Sequence, residues 1–324
     1  MTVALRDRTL RVVIAGGSGL IGRALVASLV RDGAEVTVLS RDPAGRAARV
    51  PAGARTVPWD PADPEGVPAL AIVLAGADAV VNVCGVPIGP VPWTPGRMRA
   101  IVASRVGSAD YIVDALATLE PSARPPAFVC ASGTDGYTGL DAEPATEATD
   151  TGGTPGFLAQ LGRDWEAAAA RAATLGVRVV SVRTSFVLAR GSPLLRLLAL
   201  PFRLGFGGPF GNGRQWFSWI HIDDLVAAYR LAVTDPAITG PVNATSPEPC
   251  RQRDLAAAMA RVLRRPNWFP VPAWFVRLAL RGQATLLLGS RRVVPRRLEA
   301  AGLRFARPTL DGALRDVLGR PNRG

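Results

Sequence analysis

The residues best placed to do chemistry begin with Gly16-Gly17-Ser18-Gly19-Leu20-Ile21-Gly22, which follows the apolar run Val12-Val13-Ile14-Ala15 and opens an apolar helical pattern. Glycines at those places let the backbone turn sharply and approach a pyrophosphate, while the helix behind offers its N-terminal dipole to negative charge. The spacing fits G-x-G-x-x-G from Gly17 and G-x-x-G-x-x-G from Gly16, so the letters leave the type of nucleotide cradle open. The context of strand before and helix behind separates a cradle from a merely tight turn. Past Asp32-Gly33 and the β-branched run Glu35–Ser40, the pair Ser40-Arg41 stands where a dinucleotide's adenosine ribose is met. An acid there would bond the 2′-hydroxyl of NAD, whereas a hydroxyl beside a guanidinium suits a 2′-phosphate, which favours NADP(H). Asp42, one residue on, keeps NAD as the alternative, and Arg41 has a second reading as a solvated surface residue. Asp60, after the short run Arg55–Pro58, is suited to accept from an adenine amino group or to cap the turn that follows.

A second set of side chains could move protons or hold a substrate. Ser132 ends an apolar run, and Gly133-Thr134-Asp135-Gly136-Tyr137 follows it. Chemistry gathers at such carboxyl ends of strands. Tyr137 is the tyrosine best placed to reach a nicotinamide, with a hydroxyl bonded to nearby backbone as its structural alternative; the other two are Tyr111 and Tyr229. His221, the one histidine, could transfer protons near neutral pH or act as a structural hydrogen bonder at a helix start. Arg203 and Arg214 flank glycine-rich turns and, with Trp216 and Trp219, form a candidate site for an anionic small molecule. Cys84 reads as a small buried hydrophobe rather than a nucleophile, and Cys84, Cys130 and Cys250 lack metal-ligand spacing, so no metal site is expected.

The elements that must position these residues alternate strand with helix as far as Val177–Val182 and Arg183, which gives an α/β fold with a doubly wound parallel sheet. Gly85 ends the fourth strand and lets backbone come close to the second half of a dinucleotide. Thr94-Pro95 starts a helix that carries Ser104 and Arg105. Beyond residue 200 the rhythm changes to proline, glycine and aromatics, then to helices such as Gln252 to Leu263 and Trp274 to Leu280. The expected division is a nucleotide-binding unit over 11–248 and a smaller, mainly helical substrate lobe over 249–324 that closes the cleft.

With 324 residues, 48% of them apolar, the chain can bury a sizeable core. Its formal net charge is +12, and every basic residue is an arginine, so lysine chemistry is excluded. The arginines are spread along the chain rather than gathered in one stripe, which argues against nucleic acid as the partner, although a nucleic-acid binder remains an alternative. Residues 1–8 run into the first strand without an apolar leader, and no run spans a membrane uninterrupted by arginine, so a cytoplasmic protein without a membrane partner is expected. Its oligomeric state is open.

Several stretches resemble one family. The glycine turn, Asn82-Val83-Cys84-Gly85, Ser104-Arg105, Phe157-Leu158-Ala159 with Trp165-Glu166, and the block from Pro201-Phe202-Arg203-Leu204-Gly205 to Trp219-Ile220-His221 are similar to signatures of the extended short-chain dehydrogenases/reductases. Within them the likeness is to the atypical branch called epimerase family protein. Its C-terminal helical module of unknown function resembles the tail from Arg265-Pro266 to Ala301-Gly302. The resemblance implies NADP(H) held by residues 16–22, Ser40, Arg41, Val83 to Gly85, Arg105 and positions near the sixth strand such as Arg183 and Val187. It implies an oxidoreductase or epimerase, with a cofactor-binding redox sensor of little turnover as the alternative. One departure is plain. Family reductases pair a catalytic tyrosine with a lysine four residues on, and those places here hold Leu158 and Gly162.

Overall fold

The computed structural model describes residues 9–46, 49–89, 91–137 and 143–319; the leader-free reading of residues 1–8 lies outside them. Seven parallel strands form one sheet: β1 (Arg11–Ala15), β2 (Glu35–Ser40), β3 (Arg55–Pro58), β4 (Ala79–Asn82), β5 (Ala127–Gly133), β6 (Arg178–Thr184) and β10 (Gly240–Ala244). Their order, β10-β6-β5-β4-β1-β2-β3, reverses direction between β1 and β4. That reversal opens the crevice where doubly wound folds bind ligands. The strands at the centre are buried on both faces because helices cover both, and β4 and β5 accordingly read as almost unbroken apolar runs.

On one face lie α1 (Leu20–Arg31) and α8 (Ile222–Thr234), which pack together. On the other lie α3 (Val67–Leu74), α5 (Ser108–Ala117) and α6 (Phe157–Ala170). A short helix, α2 (Pro43–Arg46), follows β2, and α4 (Pro95–Val102) begins where Thr94 Oγ1 accepts the Arg97 amide. Between α4 and α5 the helix widens into a π turn, Ala103–Gly107. Such a turn inserts one residue and is often found at functional sites. Here it carries Ser104 and Arg105.

The expected alternation ends at the sixth strand, but the sheet continues to β10. Its sequence, Gly-Pro-Val-Asn-Ala, has one β-branched residue, and its edge position accommodates Pro241. Two short pairs also lie outside the sequence reading: β7 (Phe186–Leu188) with β9 (Trp219–His221), and β8 (Trp216–Phe217) with β11 (Cys250–Arg251). They hold α7 (Pro193–Arg203), α9 (Gln252–Leu263) and α13 (Leu310–Leu318) around a second core built on Trp219, Phe202, Leu255 and Leu314. The remaining helices are α10 (Ala273–Leu280), α11 (Thr285–Leu288) and α12 (Arg296–Ala300). No helix among the described residues is long and apolar enough to cross a membrane.

Two glycines fix the union of β1 with α1. Gly16 takes φ +88°, and a Cβ there would sit 2.8 Å from the Val83 carbonyl carbon. A Cβ on Gly22 would lie 2.2 Å from the Gly16 carbonyl oxygen, backbone against backbone. Gly22→Ala is therefore expected to cost about 1–3 kcal/mol of unfolding free energy in a urea titration. Gly96→Ala, in the exposed first turn of α4 with open space around it, is the control and should be neutral or gain up to about 1 kcal/mol. Equal midpoints for both variants would contradict this packing account.

Candidate active site

At the crevice, α1 begins at Gly19 with no side-chain cap and no acid in its first turn, so its N-terminal amides face no carboxylate of their own helix. Ser18, Leu20 and Ile21 are half-buried along this turn, and Gly17 packs against Val38. At the end of β2, Ser40 is buried and its Oγ accepts the Asp42 amide at 3.2 Å. Arg41 is exposed beside it. Asp42 is committed elsewhere, since its Oδ1 caps α2 through the Gly45 amide at 2.8 Å. Asp60 takes its turn-capping role, accepting from the Ala62 amide at 3.0 Å.

The end of β4 is shaped by Asn82, which sequence reasoning left without a role. Fully buried, it donates to Ser108 Oγ at 2.9 Å and accepts the Cys84 amide at 3.0 Å, which bends Val83-Cys84-Gly85 across the glycine turn. Ser104 Oγ accepts the Val86 amide at 3.1 Å. Arg105 is buried, donates to the Val86 carbonyl at 3.1 Å and lies over the Trp165 ring at 5.4 Å. A Cβ on Gly85 would meet this guanidinium at 2.7 Å. Burial lowers the pKa of Arg105 to about 10, and the charge of Arg97 acts in the same direction. Two arginine charges thus stand near one another at the cleft, and Arg105 has no carboxylate partner among the described residues. These features fit an anionic dinucleotide: amides at a helix start, a hydroxyl and guanidinium at β2, and a buried cation opposite.

Beyond them runs a chain of polar side chains at the carboxyl ends of β5, β6 and β10. Ser132 Oγ donates to Glu166 Oε1 at 2.7 Å. Glu166 receives Arg183 through two parallel bonds, Nε to Oε1 and Nη2 to Oε2, each 2.7 Å. Arg183 Nη1 donates at 2.6 Å to the Tyr137 hydroxyl, which donates in turn to Asn243 Oδ1 at 3.0 Å. Burial by itself would lower the pKa of Arg183, but the bonds and charge of Glu166, then of Tyr137, hold it above its ordinary value. A cavity of about 10 Å³, room for roughly one water, lies beside this chain and is lined by Gly133, Gly162, Glu166 and Arg183 among others. Gly162, the lysine place of the family pattern, adjoins Ser132: a Cβ there would be 3.9 Å from its Oγ.

The sequence-derived candidates divide accordingly. Ser132 and Arg183 join one network, and Glu166 and Asn243 complete it although neither was singled out as functional. Tyr137 is 1% exposed, with its hydroxyl accepting from Arg183 and donating to Asn243 Oδ1, a side-chain partner in place of the nearby backbone expected as its structural alternative. Burial also raises its pKa, against the pull of Arg183. His221 takes its structural alternative rather than the proton-transfer role: Nδ1 accepts the Asp223 amide as the cap of α8, Nε2 faces Asp316 Oδ2 at 3.1 Å, and the ring is 1% exposed. Trp219 cannot line a cleft, being fully buried with Nε1 donating to the Glu248 carbonyl. Trp216 is half-buried, with Arg251 at 3.8 Å and Arg292 at 4.5 Å from its ring, and Arg214 lies exposed in the preceding turn. Arg203 sits exposed at the end of α7 beside Leu204 and Leu200. Val187 lies in the β7–β9 pair opposite Ile220.

A parallel sheet with a glycine turn at its switch point, and Ser132 ending β5 across from α6, defines a Rossmann-like protein of the short-chain dehydrogenase/reductase class. Residues 12–243 match the NAD dependent epimerase/dehydratase family, and 271–317 match a domain of unknown function, DUF1731. An epimerase family protein of Mycobacterium bovis is 37% identical over 312 residues, covering 96% of this chain and 98% of the relative. The chloroplastic SDR39U1 homolog of Arabidopsis thaliana is 32% identical, covering 97% and 88%. The crystal structure of human epimerase family protein SDR39U1 with NADPH superposes with a TM-score of 0.81 at 32% identity, over 95% of this chain and 99% of that one. This chain belongs to the NAD dependent epimerase/dehydratase family, among the epimerase family proteins similar to SDR39U1.

The thiols give a pH test. Burial pushes Cys84 and Cys250 from an ordinary value of 9.0 up to about 12, with Arg41 and Arg105 pulling Cys84 back in part. Unfolded thiols ionise first as pH rises, so this contribution to stability is whole below pH 9.0 and is lost as pH climbs toward 12. Urea midpoints should fall between neutral pH and pH about 10.5, and alanine at Cys84 and Cys250 should lessen the fall, Cys130 and Tyr229, pushed up by burial in the same way, keeping part of it. An unchanged midpoint in the unsubstituted protein would contradict the burial of these groups.

Proposed function

We propose that the protein binds NADP(H) across the crevice and works as an oxidoreductase or epimerase on an anionic small molecule. The observation that carries the reading is the uncapped, acid-free start of α1 at the switch point of the sheet, together with Ser40 and Arg41 at the end of β2 and the buried Arg105, which has no carboxylate partner among the described residues. The NADPH in the human relative supports the choice of cofactor. Amides at the start of α1 and Arg105 would hold the pyrophosphate, Ser40 and Arg41 the 2′-phosphate, and the Val83–Gly85 bend the nicotinamide half. The cofactor supplies a hydride donor or acceptor.

Without a lysine the chain needs another way to handle the proton. Ser132 is the group at the reacting centre: its Oγ meets the substrate oxygen and already bonds Glu166. In the oxidising direction a substrate hydroxyl bonds Ser132 Oγ and gives its proton to water at the adjoining cavity, while Glu166 stays ionised against Arg183 and holds the Ser132 hydroxyl; reduction takes the proton back from water. Arg183 is a positioning residue that holds Glu166 by two bonds and keeps a compensating positive charge. Tyr137 and Asn243 anchor Arg183 from behind. Arg214, with Trp216, Arg251 and Arg292 beside it, supplies the positive end of the substrate site, and the tail that includes Arg291 and Arg292 closes it. An ion pair of 2.8 Å from Arg291 to Asp135 ties that tail to the loop after β5. Three free thiols suit a reducing compartment such as the cytoplasm.

Isothermal titration should show NADPH bound more tightly than NADH, and Arg41→Ala should weaken NADPH by about 10- to 100-fold while sparing NADH. Equal affinities in the unsubstituted protein would overturn the 2′-phosphate assignment.

A panel of anionic hydroxy and keto acids, read by NADPH absorbance, tests the chemistry. For any substrate turned over, Ser132→Ala should lower kcat by about 10²- to 10⁴-fold with NADPH affinity kept. Arg214→Ala should raise KM alone. Full turnover by Ser132→Ala would remove Ser132 from the reacting centre.

A further inference from the structure

The strongest feature outside the cleft is a face where large apolar side chains stand in water among arginines. Trp268 is 73% exposed, Leu278 70%, Trp274 65% and Phe206 61%, with Phe269, Phe275 and Leu204 beside them in sequence and also exposed. They come from the segment after α7, from the segment leading into α10 and from α10 itself, and the first two segments are held side by side. Trp268 Nε1 donates to the Gly205 carbonyl at 2.9 Å, the Trp268 and Phe269 amides both reach the Gly207 carbonyl, and Phe206 meets Phe269 edge-on with ring centroids 6.2 Å apart. The indole of Trp268 is thus anchored by its nitrogen while its ring stays outside. Isolated exposed hydrophobes need no explanation, but Phe206, Trp268 and Phe269 gathered in one place, with exposed Trp274, Phe275 and Leu278 a few residues on in α10, mark an interaction surface.

Charge identifies the occupant. Every charged residue from Leu255 to Leu298 is an arginine, and no acid occurs from Pro193 to Ile222. Arg264, Arg265, Arg277 and Arg281 are exposed around the apolar face, and Arg264 and Arg265 line a surface groove of about 510 Å³ with Arg261, Pro266 and Asn267. Arg261 is paired with Asp311, whereas no ion pair to Arg264 or Arg265 occurs among the described residues. A second copy meeting this face about a two-fold axis would set arginine against arginine. An anionic bilayer answers both properties: acyl chains and headgroup carbonyls accept Trp, Phe and Leu to interfacial depth, and lipid phosphates neutralise the guanidinium groups.

We propose that the face formed by residues 204–206, 264–269 and 274–281 seats the protein on an anionic membrane surface without crossing it. The expectation of no membrane partner came from the lack of a spanning segment, a condition that an interfacial seat does not need. Its occupant is a lipid surface, separate from the nucleotide cleft, so NADPH binding serves as an independent check on folding.

The test is sedimentation of the whole protein with phosphatidylcholine vesicles, with and without phosphatidylglycerol. Binding should require phosphatidylglycerol, fall as salt is raised, and drop at least about 10-fold both in Trp268→Ser/Phe269→Ser and in Arg264→Glu/Arg265→Glu. Both variants should keep their far-ultraviolet dichroism and their NADPH affinity. Absence of vesicle binding, binding indifferent to phosphatidylglycerol, or a solution dimer that Trp268→Ser/Phe269→Ser dissociates would each overturn the proposal, the last in favour of a second copy. Should the serine variant fail to fold, the glutamate variant decides alone: undiminished binding to anionic vesicles would sink the idea.

Discussion

The arrangement at the sheet's carboxyl edge depends on one buried charge. Arg183 leaves β6 beneath the cleft, and a guanidinium there is tolerable only because Glu166 meets it with two parallel bonds and Tyr137 takes a third. Removing one partner from such a pair commonly costs about 3–5 kcal/mol, because the remaining charge is left uncompensated. From that pairing the rest follows. Glu166 is fixed in the orientation that accepts the Ser132 hydrogen bond, Tyr137 is drawn inward to Asn243, and Asn243 bonds the Val294 carbonyl of the tail. The tail is therefore part of the same structure as the site, which fits its further attachment through Ser218 and Ala145.

The other half of the crevice follows from close backbone approach. Gly16 and Gly22 bring the first helix onto its own turn, and Asn82 bends the end of β4 over it. The helix start keeps its amides clear of carboxylates, while Arg105, on the π turn, is buried without one. Buried cations without a protein counter-ion are expensive, so the site is disposed toward an anion before any arrives. The two halves differ in character: one side presents free amides and cations, the other a paired charge that fixes the Ser132 hydroxyl.

Much of this was legible in the sequence because it is local. The glycine turn, the hydroxyl and guanidinium after β2, the Thr94 cap and the helix Gln252–Leu263 all depend on neighbours within a few positions. The missing lysine is legible as an absence, but the polar network beside its place is not. Glu166, Arg183, Tyr137 and Asn243 come from four separate elements, and only folding brings them together. Strand β10 went unread since Gly-Pro-Val-Asn-Ala lacks a β-branched run, its pairing resting on backbone at the sheet edge. Trp219 reads as a cleft residue because polar and aromatic residues cluster there, and for His221 the sequence does not choose between proton carrier and helix-start bonder. Their burial depends on packing against α9 and α13, which local sequence does not record.

The central claim is that this chain holds NADP(H) with its reactive end at Ser132, where a serine and carboxylate backed by Arg183 stand in for a tyrosine and lysine. A crystal structure of the protein grown with NADPH addresses that claim most directly. The account predicts the 2′-phosphate at Ser40 and Arg41, the pyrophosphate at the start of α1 and near Arg105, and the nicotinamide beside Ser132 and Gly162. A nicotinamide placed against His221, or Tyr137 swung out of its bond to Asn243 to meet the ring, would contradict it.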